Sequence, residues 1–299
     1  MSIAFPDFAL IALLVFVFLL GAALGSFLCC QARRLRRREL KKRSLGSRSV
    51  CLHCKKKLAW YENVPIISWL ALRGRCRHCH RPIGIAEFLA ELGTALAFLI
   101  VTIVFLQSIT APPTFGADLF GEFSSHATFP YLRIAHWAIY IATLILAALL
   151  IFLAIYDGLY GELPVLFLTL SIICAIMIAI LRYWTSFSVM SEFHWGPILL
   201  TLISAAILGG TYLLLYLISK GRWVGSGDWL LALAIGIALS SPWLSLMELL
   251  VANLLATIIM LPSAIKHKSN KIYFGPFLVS AFVIVYALSI PLMNILLMH

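Results

Sequence analysis

The sequence predicts an all-α polytopic membrane protein with about eight transmembrane helices and one small cytosolic zinc-ribbon-like segment. Three observations carry this. Hydrophobic residues make up 62% of the 299 positions and charged residues only 12%, against ~25% charged in soluble domains. Eight apolar stretches approach or exceed the length that crosses a ~30 Å hydrocarbon core at ~1.5 Å per residue. The basic excess, a net charge of +11, is confined to a few loops, with 16 Lys or Arg between Arg33 and Arg81. The same composition excludes a disordered chain, which needs few apolar residues and many charges.

Span one runs roughly from Phe8 to Cys30. Its basic residues follow the apolar core and no small-residue cleavage site is evident, which argues against a cleaved signal peptide. Gly21-Ala22-Ala23-Leu24-Gly25-Ser26-Phe27 is a small-residue face suited to close helix packing. The cytosolic segment follows, from Arg33 to about Ile85. Span two covers about Glu87 to Leu106, and a polar loop with few charges then reaches Leu132 on the outer side. Spans three (Ile134 to Tyr156), four (Pro164 to about Leu181) and five (Pro197 to Ile218) come next. Span six (Asp228 to about Leu239) is short, and the turn Ser240-Ser241-Pro242 joins it to span seven (Trp243 to Leu261). Span eight is Gly275 to Leu297. No internal sequence repeat is evident. The expected organisation is thus a first helix over 1–32, a zinc-binding segment over 33–85 and a membrane core over 86–299.

Eight spans place both termini outside and 21 of the 23 basic residues inside; only Arg133 and Arg182 fall elsewhere. Basic stretches can also bind nucleic acid. Lys and Arg alternating between apolar spans are accounted for by the positive-inside rule, so membrane lipid rather than nucleic acid is the expected surrounding.

Cys51-Leu52-His53-Cys54 and Cys76-Arg77-His78-Cys79 are two Cys-x-x-Cys knuckles separated by 21 residues. Two such pairs complete a tetrahedral four-sulfur site, which suits zinc. Disulfides are disfavoured on the cytosolic side of a membrane. His53, His78 and His80 could substitute as ligands, but four Cys suffice, and such a closed site is structural rather than catalytic. Cys29, Cys30 and Cys174 lie in spans and act as small apolar residues.

Two aspartates stand at one predicted face. Asp157 ends span three, within Tyr156-Asp157-Gly158-Leu159-Tyr160-Gly161-Glu162-Leu163-Pro164, and Asp228 opens span six after Gly225-Ser226-Gly227. Ionisable groups near the bilayer core are costly and point to function. Two neighbouring carboxylates cannot both ionise easily, so one serves as acid while the other activates a water. The competing reading makes Asp228 a helix N-cap and Asp157 a solvated loop residue. Spacing alone leaves both open, and Glu162 competes for the Asp157 role. Glu248 and Glu91, inside spans seven and two, are costly enough to need partners: either lines a polar cavity or pairs with hydroxyls such as Ser245 or Thr94.

With these residues in view, the chain resembles the bacterial type IV prepilin peptidases, the leader peptidase/N-methyltransferase family that also serves type II secretion and competence pseudopili. Gly25-Ser26-Phe27-Leu28 is similar to the family's opening. The cytosolic run is the most specific part: Arg48-Ser49-x-Cys51-x-x-Cys54, Leu58-x-Trp60-Tyr61-Glu62-Asn63-Val64-Pro65-Ile66-Ile67-Ser68-Trp69-Leu70, then Leu72-Arg73-Gly74-Arg75-Cys76-x-x-Cys79-x-x-Pro82-Ile83. Glu91, Asp157 with Leu163-Pro164, Gly225-x-Gly227-Asp228 and Phe274-Gly275-Pro276 extend the likeness over nearly the whole chain.

The resemblance implies a membrane aspartic endopeptidase with Asp157 and Asp228 catalytic. It would remove the short basic leader of prepilins and pseudopilins after a Gly, at the cytosolic face of the inner membrane, with the zinc segment capping or positioning the leader. It also implies S-adenosylmethionine-dependent methylation of the new N-terminus, for which Glu62 and Glu91 are the candidate residues. The sequence departs from the family at Leu230, Cys29, Leu159, Val165 and Gly84-Ile85-Ala86-Glu87-Phe88. These departures keep both carboxylates and bear on methylation more than on cleavage. The alternatives are a peptidase without methyltransferase activity, and a membrane scaffold whose zinc segment docks a partner. A transporter would require deeper polar residues and an inverted repeat.

Overall fold

A computed structural model describes residues 7–39, 50–51, 53–110, 130–190, 195–222, 224–266 and 273–297. The loop after span two, Arg48 and Ser49, and most of the last basic loop lie outside the described residues. The described residues are almost entirely helical, with no strand longer than an isolated bridge.

The helices are α1 (Asp7–Glu39), α2 (Ile67–Ala71), α3 (Ile85–Thr110), α4 (Pro130–Tyr160), α5 (Val165–Met190), α6 (Gly196–Ala205), α7 (Thr211–Ser219), α8 (Asp228–Leu239), α9 (Pro242–Lys266) and α10 (Gly275–Leu297). A π-helical turn, Ala206–Gly210, joins α6 to α7 without a break, so 196–219 is one apolar rod. Among the described residues six helices are long and apolar enough to cross a membrane, and Asp228–Leu239 and Gly275–Ser289 are shorter apolar helices. These eight correspond to the eight expected spans, and the chain is a multi-pass helical membrane protein. Helix α1 continues to Glu39, beyond the apolar stretch that marked its expected end.

Contacts divide the chain into two units, Phe5–Leu99 and Ile100 onward, with the boundary inside α3. In the first unit α1 and α3 approach closely because Gly21 and Gly25 carry no side chain. A Cβ on Gly21 would stand 2.8 Å from Ala95 Cα, and one on Gly25 would stand 2.8 Å from Glu91 Cα. Four-residue spacing places both glycines on one helix face, the small-residue packing read from the sequence.

In the second unit α8 is the central helix. It packs on α5, on the α6–π–α7 rod, on α9 and on α10. Ala232, Ala234, Gly236 and Ala238 are buried along it, which lets neighbouring backbones come near. A Cβ on Gly236 would lie 2.9 Å from Ser204 O, and one on Gly209 would lie 2.9 Å from Leu233 Cα. Ser204 fixes this contact, donating to Gly236 O at 2.7 Å and pairing with Ser245 Oγ at 2.6 Å. The far end of α8 is closed by the buried Arg182, whose Nη1 donates to Ala238 O at 2.6 Å. A cation at a helix C-terminus satisfies an orphan carbonyl and suits the dipole.

Candidate active site and metal centre

The two knuckles are built alike. Cys51 N donates to Lys56 O at 3.0 Å and Lys55 N donates to Cys51 O at 3.1 Å. Cys76 N donates to Arg81 O at 2.9 Å and His80 N donates to Cys76 O at 2.9 Å. Bridges Val50–Lys57 and Arg75–Pro82 close each turn, and Lys55 and His80 both adopt positive φ, 61° and 54°. Every counterpart is offset by 25 positions, a structural echo that the side chains between the cysteines conceal. The four sulfurs lie within 4.8 Å of one another, Cys51 Sγ and Cys79 Sγ being 3.9 Å apart. Tetrahedral bonds of ~2.3 Å to zinc would set sulfurs roughly 3.8 Å apart. The cluster can therefore hold a metal ion, and its donor set is compatible with zinc.

The glutamates of the same unit are held by backbone. Glu62 sits in the 3-10 turn Trp60–Asn63 and accepts Ala59 N at 2.9 Å, with His78 Nε2 3.8 Å from its other oxygen. Glu91 accepts Ile66 N at 2.7 Å and a bond from the Ser26 hydroxyl. Thr94 is not its partner, because that hydroxyl donates to Ala90 O within its own helix. Glu91 thus ties together the Gly-Ser-Phe-Leu stretch, the Asn-Val-Pro-Ile stretch and α3. Both glutamates line one cavity of ≈ 780 Å³, with Ser26, Cys29, Arg33 and Trp69 among its walls. Arg33 pairs with Glu87 there.

In the other unit the structure brings the ends of three helices together. Asp157 lies in the last turn of α4 and is 5% exposed; Asp228 is the first residue of α8 and is 8% exposed. Gly275, the first residue of α10, donates its N–H to Asp157 Oδ2 at 2.9 Å. A Cβ on Gly275 would stand 2.8 Å from that same oxygen, so glycine is needed for the approach. Gly225 N donates to Asp228 Oδ2 at 2.9 Å. Among the described residues neither Oδ1 is hydrogen-bonded.

Asp228 is not the N-cap, a position held by Gly227, and Asp157 is buried rather than solvated, so the bland readings of both residues do not describe their surroundings. Glu162 is exposed. Gly161, at φ +69°, turns the chain after α4 against the Tyr273 ring, and a Cβ on Gly227 would meet Leu163 Cδ1 at 2.8 Å. The segments 157–164, 225–228 and 273–275 are therefore interlocked through their glycines.

Sequence reasoning assigned no role to the Gly275 amide, although Phe274-Gly275-Pro276 stood out as a motif. It also missed Tyr212, which is buried, accepts Asn253 Nδ2 at 3.1 Å and packs its ring 5.3 Å from Phe274. Glu248 does not pair with Ser245, which is bonded to Ser204; it is fully buried, with no hydrogen-bond partner among the described residues.

Comparisons with known proteins agree with the motifs of the first unit. Residues 19–105 match the family described as Bacterial Peptidase A24 N-terminal domain. A "Prepilin leader peptidase/N-methyltransferase" of Myxococcus xanthus is 48% identical over 84 residues, 28% of this chain and 24% of that protein. The protein of the same description from Vibrio cholerae is 38% identical over 84 residues, 26% of this chain and 33% of the relative. A "Type 4 prepilin-like proteins leader peptide-processing enzyme" of Escherichia coli is 46% identical over 61 residues, 20% of this chain and 23% of the relative. The chain thus spans about a quarter to a third of the length of these relatives in the matched stretch. The family match ends at residue 105, before either aspartate. No solved structure matches.

Proposed function

We propose that the protein, whose residues 19–105 match the family described as Bacterial Peptidase A24 N-terminal domain, is a prepilin leader peptidase of the bacterial inner membrane, cutting at its cytosolic face with Asp157 and Asp228. The observation that carries this reading is the pair of buried carboxylates at adjoining helix ends. Each has one oxygen held by a glycine amide and the other free of protein partners among the described residues. That arrangement suits a shared water. One carboxylate takes the water's proton as its oxygen attacks the scissile carbonyl; the other gives a proton to the leaving amine as the C–N bond breaks. A substrate with an apolar helix and a short basic leader would bring its scissile bond to this end of the bundle, where it leaves the lipid. The relatives' names supply the substrate class, prepilins and prepilin-like proteins. The test is leader removal from a prepilin in proteoliposomes. Asp157→Asn and Asp228→Asn are expected to stop it, and continued processing by either variant would remove the dyad from the mechanism.

A structural zinc ion in the Cys51, Cys54, Cys76 and Cys79 cluster belongs to the same reading. So does a second activity, methylation of the new N-terminus, which the names of the relatives also carry. The cavity of ≈ 780 Å³ favours it, since Glu62 and Glu91, the candidate residues, both open onto it beside the Trp69 ring. Carboxylates can accept the hydroxyls and amine of S-adenosylmethionine and an aromatic face can cover it; the cofactor when bound supplies an electrophilic methyl group. Cys29, where the family has Asn, lines the same wall. Mass spectrometry of processed pilin decides the matter. A methylated first residue, lost in Glu62→Gln or Glu91→Gln while cleavage persists, is the expected result; an unmethylated product of the unaltered protein leaves a peptidase alone.

A further inference from the structure

The short helix α2 leaves an apolar side uncovered. Ile67, Leu70 and Ala71, at i, i+3 and i+4, form one stripe, and all three are exposed. Trp60, at 82% exposure, and Tyr61, at 48%, continue it on the preceding turn. Five large or apolar side chains facing outward over twelve residues are costly beside water. Something covers them.

Three contacts fix where this stripe sits. Ile66 N donates to Glu91 of α3 at 2.7 Å, just before α2 begins. Trp69, on the other side of α2, stacks on Phe88 of α3 with centroids 4.6 Å apart and planes at 29°. Gly74 O accepts Ile83 N at 2.7 Å, two residues before α3 begins. Helix α2 is therefore strapped along the first two turns of α3, a membrane-spanning helix whose own outward residues there, Ile85 and Leu89, are 61% and 56% exposed. That is where the apolar span of α3 begins.

The rim of the stripe is basic. Arg77 places its guanidinium 5.4 Å from the Tyr61 ring centroid, and Arg73 and Arg75, which follow α2 directly, are exposed. Trp and Tyr favour the headgroup layer because one end is apolar and the other hydrogen-bonds. Each Lys or Arg near an anionic leaflet adds attraction.

We propose that α2 with Trp60 and Tyr61 is an interfacial foot, lying in the headgroup–acyl boundary of an anionic bilayer beside α3. The cytosolic segment is then seated on the membrane through a lipid-binding surface of its own, rather than suspended above it between two spans.

The full chain, carrying the photo-crosslinker p-benzoylphenylalanine at position 60, 67 or 70, is placed in nanodiscs of phosphatidylcholine with or without phosphatidylglycerol. Position 56, exposed and off the stripe, serves as the reference. Mass spectrometry is expected to find lipid adducts several-fold more abundant at 67 and 70 than at 56, with higher yield in the phosphatidylglycerol discs. Hydrogen exchange on the unaltered protein supplies a second reading, with amides 66–72 expected to exchange more slowly in those discs than in detergent. Adducts to a second copy of the chain or to added prepilin in place of lipid overturn the proposal. So do lipid yields at 67 and 70 no higher than at 56, or equal yields in the two kinds of disc.

Discussion

The knuckle segment and the aspartate-bearing bundle hold their functional side chains in opposite ways. Each pair of thiols is presented by a turn of six or seven residues, closed by its own backbone bonds and repeated after 25 positions. The Asp157 carboxylate is oriented by an amide 118 residues away, at the head of another helix. Asp228 depends on α8 being centred among α5, the α6–π–α7 rod, α9 and α10. A site built from local turns tolerates change elsewhere in the chain, whereas one built from distant helix ends inherits every packing error of the bundle.

That contrast can be broken at four points. The largest effect is expected from the metal. Structural zinc contributes roughly 10–16 kcal/mol of apparent binding energy at neutral pH, so Cys51→Ser or Cys76→Ser, or a strong chelator, should abolish metal content and the local fold of residues 50–83. Elemental analysis and thiol titration would read this; retained stoichiometric metal in both variants would disqualify the cluster as its seat. Next come Asp157→Asn and Asp228→Asn, each expected to slow leader cleavage by at least ~10²-fold, the lower end for a lost acid or base. Thermal unfolding in detergent should change little.

Gly275→Ala sharpens the comparison most. Its methyl group would stand 2.8 Å from Asp157 Oδ2, so cleavage should fall although no carboxylate is altered, while metal content stays whole. Unchanged turnover would mean that the Gly275 amide does not position the acid. Arg182→Met is the mildest. It leaves the buried Ala238 carbonyl without its cation, a loss of about 1–3 kcal/mol, visible as a lower melting temperature.

Much was legible in advance because it is written locally. Hydropathy marked the eight apolar helices, Cys-x-x-Cys spacing marked the thiol cluster, and Gly21 and Gly25 marked a face for close helix packing, whose partner only the structure named. Of the two expectations for Glu91, the cavity holds and the hydroxyl partner does not. Thr94 and Ser245 look suited to Glu91 and Glu248 because they lie three residues away on the same helices. In the structure Thr94 turns back on its own helix and Ser245 crosses to Ser204, while Glu91 takes an amide from residue 66. Side chains one helical turn apart share a face, but which of them meet is decided by the neighbouring element.

The chain by itself determined its class, its spans and its thiol cluster, since each depends on the chemistry of a few consecutive residues meeting lipid or a metal. Only the tertiary structure decided that the segments 157–164, 225–228 and 273–275 interlock, that the Gly275 amide holds Asp157, and that α2 is strapped to α3 with an apolar stripe outward. Those outcomes require backbones far apart in sequence to pack within van der Waals distance, and no local pattern encodes that.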